Sequence, residues 1–312
     1  MEKRKITFSP PDITEREIAE VVDTLRSGWI TTGPKTKKFE DEIAEYCGTK
    51  KAVALNSATA AMELALRLFD IGEGDEVITS AYTYTASASV VYHCGAKIIL
   101  ADTKKGEFNI DPKEIEKLIT PRTKAIIPVD IAGLPADYTE IFEVVEKKRD
   151  IFNAKKGTYQ EKLGRILVLA DSAHSFGSDY KEKKIGSVAD ITSFSFHAIK
   201  NLTTAEGGAL TWNLPENFDN EEIYKELMLL ALHGQNKDAL AKLKAGAWKY
   251  DIVMPGYKCN MTDIMASIGL VQLQRYDGEI LKKKEELVSY YEKYLGDLTD
   301  KIELPIFKND IK

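Results

Sequence analysis

Short, nearly continuous apolar runs alternate with helix-like segments through most of the chain. These runs occupy residues 51–55, 75–79, 95–102, 124–129 and 166–171, and residues 209–212 are apolar as well. Residues 193–196 instead alternate small polar and aromatic side chains, as a short strand does. Apolar runs of this length, separated by helices, are typical of strands buried on both faces in a mainly parallel sheet. We therefore predict an α/β protein with a three-layer α/β/α large domain.

Apolar residues at helical spacing predict helices at 13–27, 35–47, 60–69 and 221–232. The charged stretches 143–148 and 155–162 are interpreted as a solvent-exposed helical excursion, and the Lys/Ala-rich stretch after Gly234 resembles them. Two glycines and a proline predict irregular backbone at 28–34. One long amphipathic helix is predicted at 262–295, where the chain should leave the large domain.

This pattern predicts two domains of unequal size. Residues 1–255 form the large domain, and residues 256–312 form the connecting helix and the start of a smaller C-terminal α+β domain. Residues 304–307 are predicted to be a strand of it. A complete small domain would need several more strands and helices, so we expect it to be cut short.

Composition narrows the function classes. The 312 residues include 43 basic and 49 acidic side chains, a formal net charge of −6, which argues against a nucleic-acid-binding surface. Cys47, Cys94 and Cys259 are far apart, and with four histidines they give no zinc spacing. We expect no metal site, reduced thiols and a cytoplasmic location. No apolar run is long enough to span a membrane, so no membrane partner is expected.

Candidate functional residues lie where the predicted strands end. Thr59, Tyr84, Asp171 and Lys200 each follow or end such a strand, and ligands of open α/β sheets bind at that edge. Taken alone, Lys200 would be a solvated surface lysine, and the turn before Thr59 an ordinary helix cap. Their convergence favours a site instead.

The four features match the parts of one cofactor. Asp171 ends an apolar run, where a carboxylate needs a cationic partner such as a pyridinium nitrogen. Lys200 offers an amine for a Schiff base, and the helix start at Ala58 and Thr59 offers N–H groups to a phosphate. Tyr84 offers a flat ring. Together they indicate pyridoxal 5′-phosphate.

Three segments carry a family resemblance: residues 170–174 (Ala-Asp-Ser-Ala-His), 193–208 and 256–263. The chain resembles the DegT-type sugar-nucleotide aminotransferases, a branch of the fold-type I (aspartate-aminotransferase-like) pyridoxal-phosphate enzymes, from about residue 7 onward. Its motifs are most similar to those of the lipid A aminoarabinose-pathway enzymes, which share the run from Phe196 to Gly208.

The resemblance implies a role for each matching residue. Lys200 is the lysine that binds the cofactor covalently and shuttles the proton, and Asp171 is the partner of the pyridinium nitrogen. His174 lies near the cofactor's phenolic oxygen, and Tyr84 stacks on its ring. The phosphate ligands are Ala58, Thr59, Ser195 and Asn260. Asn260 reaches the phosphate of the neighbouring subunit, so the resemblance implies a homodimer with shared active sites.

Three positions depart from the family pattern. Ala58 replaces a glycine, which requires that its backbone keep a negative φ. Asp130 stands where many members have histidine, and Lys258 and Asn260 stand where many have Asn and Arg.

The implied activity is ping-pong transamination from L-glutamate to a keto group of a nucleotide-linked sugar, for cell-surface polysaccharide or lipopolysaccharide biosynthesis. One alternative is a sugar dehydratase of the same fold, which would carry histidine in place of Lys200. Another is a non-catalytic regulatory paralogue, in which the Lys, Asp and Ser set would not be needed.

Overall fold

The computed structural model of the chain describes residues 7–236, 249–298 and 301–304. Its helices are α1 (Glu15–Ser27), α2 (Pro34–Cys47), α3 (Ala58–Leu68), α4 (Thr85–His93), α5 (Pro112–Leu118), α6 (Tyr138–Lys147), α7 (Tyr159–Leu163), α8 (Asn220–Ala231), α9 (Asp263–Gln274) and α10 (Lys282–Leu295). Its strands are β1 (Ala52–Leu55), β2 (Glu76–Ser80), β3 (Lys97–Ala101), β4 (Thr123–Ile127), β5 (Leu167–Asp171), β6 (Asp179–Tyr180), β7 (Lys183–Lys184), β8 (Ile191–Ser195) and β9 (Gly208–Trp212).

Seven of these strands form one sheet in the order β1-β9-β8-β5-β4-β2-β3. Strand β9 is antiparallel to both of its neighbours, whereas β8, β5, β4, β2 and β3 pair in parallel. The carboxyl ends of the parallel strands therefore share one edge of the sheet, which confirms the prediction of a mainly parallel α/β sheet.

Alternate side chains of each central strand enter two separate apolar cores. In β5, Val168 and Ala170 face the core beneath α2, α6 and α9, while Leu167 and Leu169 face the core beneath α3, α4 and α8. The two-residue period of a strand makes this division, and helices on both faces exclude water from the sheet. The three-layer arrangement follows directly.

Several predicted elements differ from the observed ones. The helix predicted at 262–295 is interrupted by a π-helical segment, Tyr276–Leu281, between α9 and α10. Tyr276 and Ile280 are buried there, so packing of the wider turn replaces regular helix. The stretch at 143–148 lies mostly in α6, whose buried face includes Ile141, Val144 and Val145, so interpreting it as fully solvated was wrong.

The short hairpin of β6 and β7 was not predicted. Residues 237–248 and 305–307, which the predictions above also covered, lie outside the described residues. No described helix combines the length and apolarity needed to span a membrane. The division at residue 255 stays a prediction.

A buried charge network holds the N-terminal helix on the large domain. The Arg275 side chain is 1% exposed and donates to Glu17 at 2.6 Å, Glu279 at 3.0 Å and Asp12 at 3.2 Å. Burial alone would raise the pKa of Glu17, but hydrogen bonds from Thr14 and Arg275 lower it to about 2. This carboxylate is therefore ionised in the folded protein at neutral pH and depends on Arg275.

We predict that Arg275→Met lowers the free energy of unfolding by about 3 kcal/mol, because Glu17 is left buried without its cation. Arg149→Met, which removes an exposed pair with Glu146, should cost less than about 1 kcal/mol. Urea denaturation measures both. Because its folded pKa is depressed, Glu17 contributes stability that is lost as pH falls from about 4.5 toward 2. An equal effect of the two substitutions, or an unchanged acid dependence in Arg275→Met, would contradict this interpretation.

Candidate active site

The candidate site lies at the shared carboxyl edge of the sheet. Strand β5 ends at Asp171, strand β8 ends at Ser195, and the loop after β8 carries Lys200. Helix α3 begins at Ala58 directly after β1, and α4 begins after β2. The topology thus places segments far apart in sequence at one edge.

Asp171 is a buried carboxylate held by two donors. Asp171 is 4% exposed, and the Ser87 hydroxyl donates to its Oδ2 at 2.7 Å. The backbone N–H of Ala173 donates to Oδ1 at 3.3 Å. Burial raises the pKa of Asp171, and these hydrogen bonds oppose that shift. Ser87 was not predicted, because a small polar residue in the first turn of α4 is its only sequence signal.

Lys200 lies in a loop that is closed by backbone hydrogen bonds. The N–H of Phe196 donates to the Gly207 carbonyl at 2.8 Å, and the N–H of Thr204 donates back to the Phe196 carbonyl at 2.9 Å. Burial lowers the pKa of Lys200, and the charge of Asp171 partly offsets this effect. The amine is therefore half-buried, electrostatically coupled to Asp171, and closer to deprotonation than a surface lysine.

His174 has one ring nitrogen fixed by the backbone. Its Nδ1 accepts the N–H of Ala132 at 3.3 Å, which leaves the proton of the neutral ring on Nε2. Burial lowers the pKa of His174, and the charge of Lys200 lowers it further. The neutral imidazole is favoured, so Nε2–H is a donor near Lys200.

The start of helix α3 is packed against the end of the β8–β9 pair. The Ser193 hydroxyl donates to the Ala58 carbonyl at 3.1 Å, and Ser195 lies two residues further along β8, on the same face. A Cβ atom at Gly208 would lie 2.4 Å from the Ala58 nitrogen. This close approach requires glycine at 208 and brings Ser195 toward the N–H groups of Ala58 and Thr59.

Ala58 satisfies the backbone condition set by its departure from the family pattern. It is the first residue of α3 and is absent from the non-glycine residues with positive φ. The Ser57 hydroxyl caps the helix by accepting the Ala60 N–H at 3.1 Å. The first N–H groups of a helix have no intrahelical acceptor, so those of Ala58 and Thr59 are suited to binding an anion.

Tyr84 and Asn260 occupy the rim of this edge. Tyr84 directly precedes α4, and its ring is 79% exposed. The Asn260 amide donates to the Thr32 hydroxyl and accepts from the Lys258 ammonium. The carbonyl of Cys259, its neighbour, accepts the Asn56 N–H at 2.8 Å, so this segment lies beside the turn that precedes α3. Whether Asn260 reaches a neighbouring subunit stays a prediction.

Asp130 is a structural carboxylate behind the site. Its Oδ1 accepts the Ala136 N–H at 2.9 Å and the Tyr138 hydroxyl at 2.8 Å, and its Oδ2 accepts the hydroxyls of Ser172 at 2.6 Å and Ser175 at 2.8 Å. It thereby ties the turn that carries His174 to the loop that carries Ala132. The residue that departs from the family pattern thus holds two site segments together.

The donor set fits pyridoxal 5′-phosphate. Asp171 supplies a buried carboxylate for a ring cation, Lys200 supplies a half-buried amine for an aldehyde, and the start of α3 supplies N–H groups for a phosphate. The buried carboxylate has no lysine or arginine within salt-bridge distance among the described residues. A ring cation would satisfy this unmet requirement.

The comparisons with known proteins agree with this geometry. The profile of the DegT/DnrJ/EryC1/StrS aminotransferase family matches residues 11–310. An uncharacterized protein of Methanocaldococcus jannaschii, MJ1066, is 44% identical over 97% of the chain and 72% of its own length. The spore coat polysaccharide biosynthesis protein SpsC of Bacillus subtilis is 42% identical over 92% of the chain and 68% of its own length.

Solved structures of one protein also match. The putative sugar aminotransferase Spr1654 of Streptococcus pneumoniae, in its PMP-form, is 57% identical, with a TM-score of 0.90 over 93% of this chain and 72% of that one. Its PLP-form is 51% identical, with a TM-score of 0.92 over 99% of this chain and 76% of that one. Pyridoxal phosphate is the cofactor of this family.

We predict that Gly208→Ala moves the start of α3, because the new methyl group would overlap backbone atoms of Ser57 and Ala58. The substitution should cost about 2 kcal/mol of stability and weaken pyridoxal phosphate binding. Gly296→Ala is the matched control, since no atom lies within 4 Å of its added Cβ. Denaturation and cofactor titration by absorbance measure both effects. Unchanged cofactor affinity in Gly208→Ala would contradict the proposed phosphate position.

We predict that Asp130→Ala lowers stability by about 3 kcal/mol, because four buried donors lose their acceptor. Asp130→Asn, which keeps the shape, should lose less. Burial raises the pKa of Asp130 to about 6, so the folded protein binds this proton more tightly than the unfolded chain. The wild type should therefore lose stability relative to Asp130→Asn as pH rises from about 4 to 6, and unfolding at several pH values tests this. A pH-independent difference would show that Asp130 does not titrate in this range.

Proposed function

Because the chain belongs to the DegT/DnrJ/EryC1/StrS aminotransferase family, we propose that it transfers an amino group from L-glutamate to a keto group of a nucleotide-linked sugar. In general terms, the chain is a pyridoxal-phosphate-dependent sugar aminotransferase. The proposed setting is cytoplasmic synthesis of a sugar for a cell-surface polysaccharide or lipopolysaccharide. The name of SpsC, a spore coat polysaccharide biosynthesis protein, supports that setting.

The electrostatic pairing of Asp171 and Lys200 at one edge of the sheet carries this proposal. One acid is buried without a salt-bridge partner among the described residues, and one amine has a lowered pKa beside it. When bound, pyridoxal phosphate supplies an aldehyde that condenses with amines and a protonated ring that stabilises negative charge on a neighbouring carbon. The two side chains are suited to the two ends of that ring system.

Each of these side chains has one proposed task. Asp171 keeps the ring nitrogen protonated, because a carboxylate held by Ser87 in a dry site favours a cation in contact with it. Lys200 would hold the cofactor covalently when no substrate is present. With the amino donor bound, its Nζ would accept the proton from the donor's α-carbon. The lowered pKa makes the neutral, proton-accepting amine easier to form than in a surface lysine.

The remaining residues hold and orient the cofactor. His174 donates from Nε2 to the phenolic oxygen, because Ala132 occupies its other nitrogen. The N–H groups of Ala58 and Thr59, with the Ser195 hydroxyl, bind the phosphate, and Tyr84 covers a ring face. Asn260 binds the phosphate of the partner subunit.

We propose a homodimer with shared active sites. Two observations on the described surface support it. Strand β3 is an edge strand whose Leu100 is 56% exposed, and Tyr92 on the preceding helix is 76% exposed. Apolar edge strands are normally covered or blunted, and a second copy would cover this one.

Two observations weigh against the alternatives. A dehydratase of this fold carries histidine at the position of Lys200, and this chain carries lysine. A regulatory paralogue would not need a buried acid coupled to a half-buried amine. Colour discriminates these functions: the transaminase should be yellow, with a visible band that shifts when L-glutamate is added. A preparation that stays colourless with added cofactor would favour the regulatory alternative.

We predict that Lys200→Ala lowers the transamination rate more than about 100-fold, because it removes the amine that is proposed to move the α-proton. The variant should keep the wild-type circular dichroism spectrum and unfolding midpoint. The assay follows 2-oxoglutarate release from L-glutamate with a panel of keto-sugar nucleotides.

Lys50→Ala is the control for this test. Lys50 is exposed and precedes β1, at the opposite edge of the sheet, so its removal should leave the rate unchanged. A Lys200→Ala variant that retains the wild-type rate would rule out the proposed mechanism.

A further inference from the structure

Helix α10 contacts the loop that carries Lys200 through one of its own lysines. No residue of α10 is fully buried, and most of its residues are exposed. Lys284 differs: it is half-buried, while Lys282, Lys283 and Glu285 around it are exposed. Its side chain therefore points toward the large domain rather than into solvent.

Lys284 reaches the segment that carries the proposed catalytic lysine. Its Nζ donates to the Asn201 Oδ1 at 2.9 Å, and Asn201 directly follows Lys200. The Asn201 amide in turn donates to the His174 carbonyl at 3.0 Å. Asn201 thus links α10 to the turn of His174 and to the loop of Lys200, and the Lys284 ammonium lies one hydrogen bond away from the residue that follows Lys200.

This ammonium has no carboxylate partner in the part of the chain that the structure describes. Its contact is a neutral amide, and burial lowers the pKa of Lys284 with no acid opposing the shift. Its neighbour Lys283, in contrast, pairs with Asp12 at 2.7 Å. The acids of the π-helical segment that precedes α10 also have partners of their own.

Those engagements are specific. Asp277 accepts the Tyr46 hydroxyl at 2.8 Å, and Glu279 pairs with Arg16 and Arg275. An ammonium has three N–H donors, and Asn201 accepts from one of them. Lys284 therefore keeps donor capacity and a charge that is partly desolvated but unpaired.

We propose that Lys284 is a substrate-binding residue that contacts an anionic oxygen of one of the two substrates at the rim of the site. The oxygen belongs either to a carboxylate of the amino donor or to a phosphate of the nucleotide-linked sugar. This inference rests on the proposed function, which supplies both candidate anions. A partly desolvated cation binds such an oxygen more strongly than an exposed one, because less water must be removed on binding.

The test measures binding and turnover separately in three variants. Lys284→Gln removes the charge and keeps a hydrogen-bonding group, and Lys284→Arg keeps the charge. Lys282→Gln is the matched control, because it removes an exposed charge two residues away on the same helix. Calorimetry measures the Kd of two unreactive probes for the cofactor-loaded protein: glutarate, which mimics the donor, and UDP or dTDP, which mimic the phosphates of the acceptor.

Lys284→Gln should raise the Kd of one probe class at least about tenfold, with Lys284→Arg restoring most of the affinity. An effect on glutarate and on the KM for L-glutamate identifies the carboxylate as the anion. An effect on the nucleoside diphosphates and on the KM for the sugar nucleotide identifies the phosphate. Lys282→Gln should stay within twofold of the wild type.

Other outcomes overturn the inference. Equal Kd and KM values in Lys284→Gln and the wild type would do so, as would a loss confined to kcat or to the unfolding midpoint, which a purely structural link through Asn201 would give. If the wild type binds a probe in a Lys284-dependent manner but transaminates no substrate, the proposed function fails and the anion site stands. If it transaminates and neither the Kd nor the KM depends on Lys284, the anion site fails and the proposed function stands.

Discussion

The architecture of the site depends on one buried negative charge. Asp171 ends a strand covered on both faces, and among the described residues only a hydroxyl and a backbone N–H donate to it. Burying a carboxylate in such surroundings costs free energy unless a cation pairs with it. The burial of Asp171 therefore favours the binding of a protonated ring. Lys200 is close enough to influence this charge, yet no salt bridge joins the two. The cofactor ring would bind in the space between Asp171 and Lys200.

Rigid packing around that charge fixes the other groups. Gly208 allows β9 to approach the start of α3 at backbone distance, which sets the anion-binding turn relative to β8. Buried hydrogen bonds of Asp130 join the turn of His174 to the loop of Ala132, whose N–H sets the imidazole tautomer. These contacts hold the groups in place before a ligand binds, which is how a preorganised site is built.

The sequence predicted much of this because parallel strands and their carboxyl edge follow from local apolar patterns. Asp171 and Lys200 could be singled out because each sits just beyond such a strand, and motifs then extended the set to His174 and Ser195. The roles of Ser87 and Asn201 were not predictable, because they depend on which helix turn or loop packs beside an acid or a carbonyl. The π-helical segment at Tyr276–Leu281 was missed for a related reason: tertiary packing of Tyr276 overrode a continuous helical pattern.

The central claim is that the Lys200 amine binds the aldehyde of pyridoxal phosphate opposite the Asp171 carboxylate. Borohydride reduction of the protein saturated with pyridoxal phosphate, followed by proteolysis and mass mapping, tests it directly. We expect one reduced pyridoxyl-phosphate group per chain, on the peptide that contains Lys200. A label on a different lysine, or an unlabelled Lys200 in a folded, saturated protein, would contradict it.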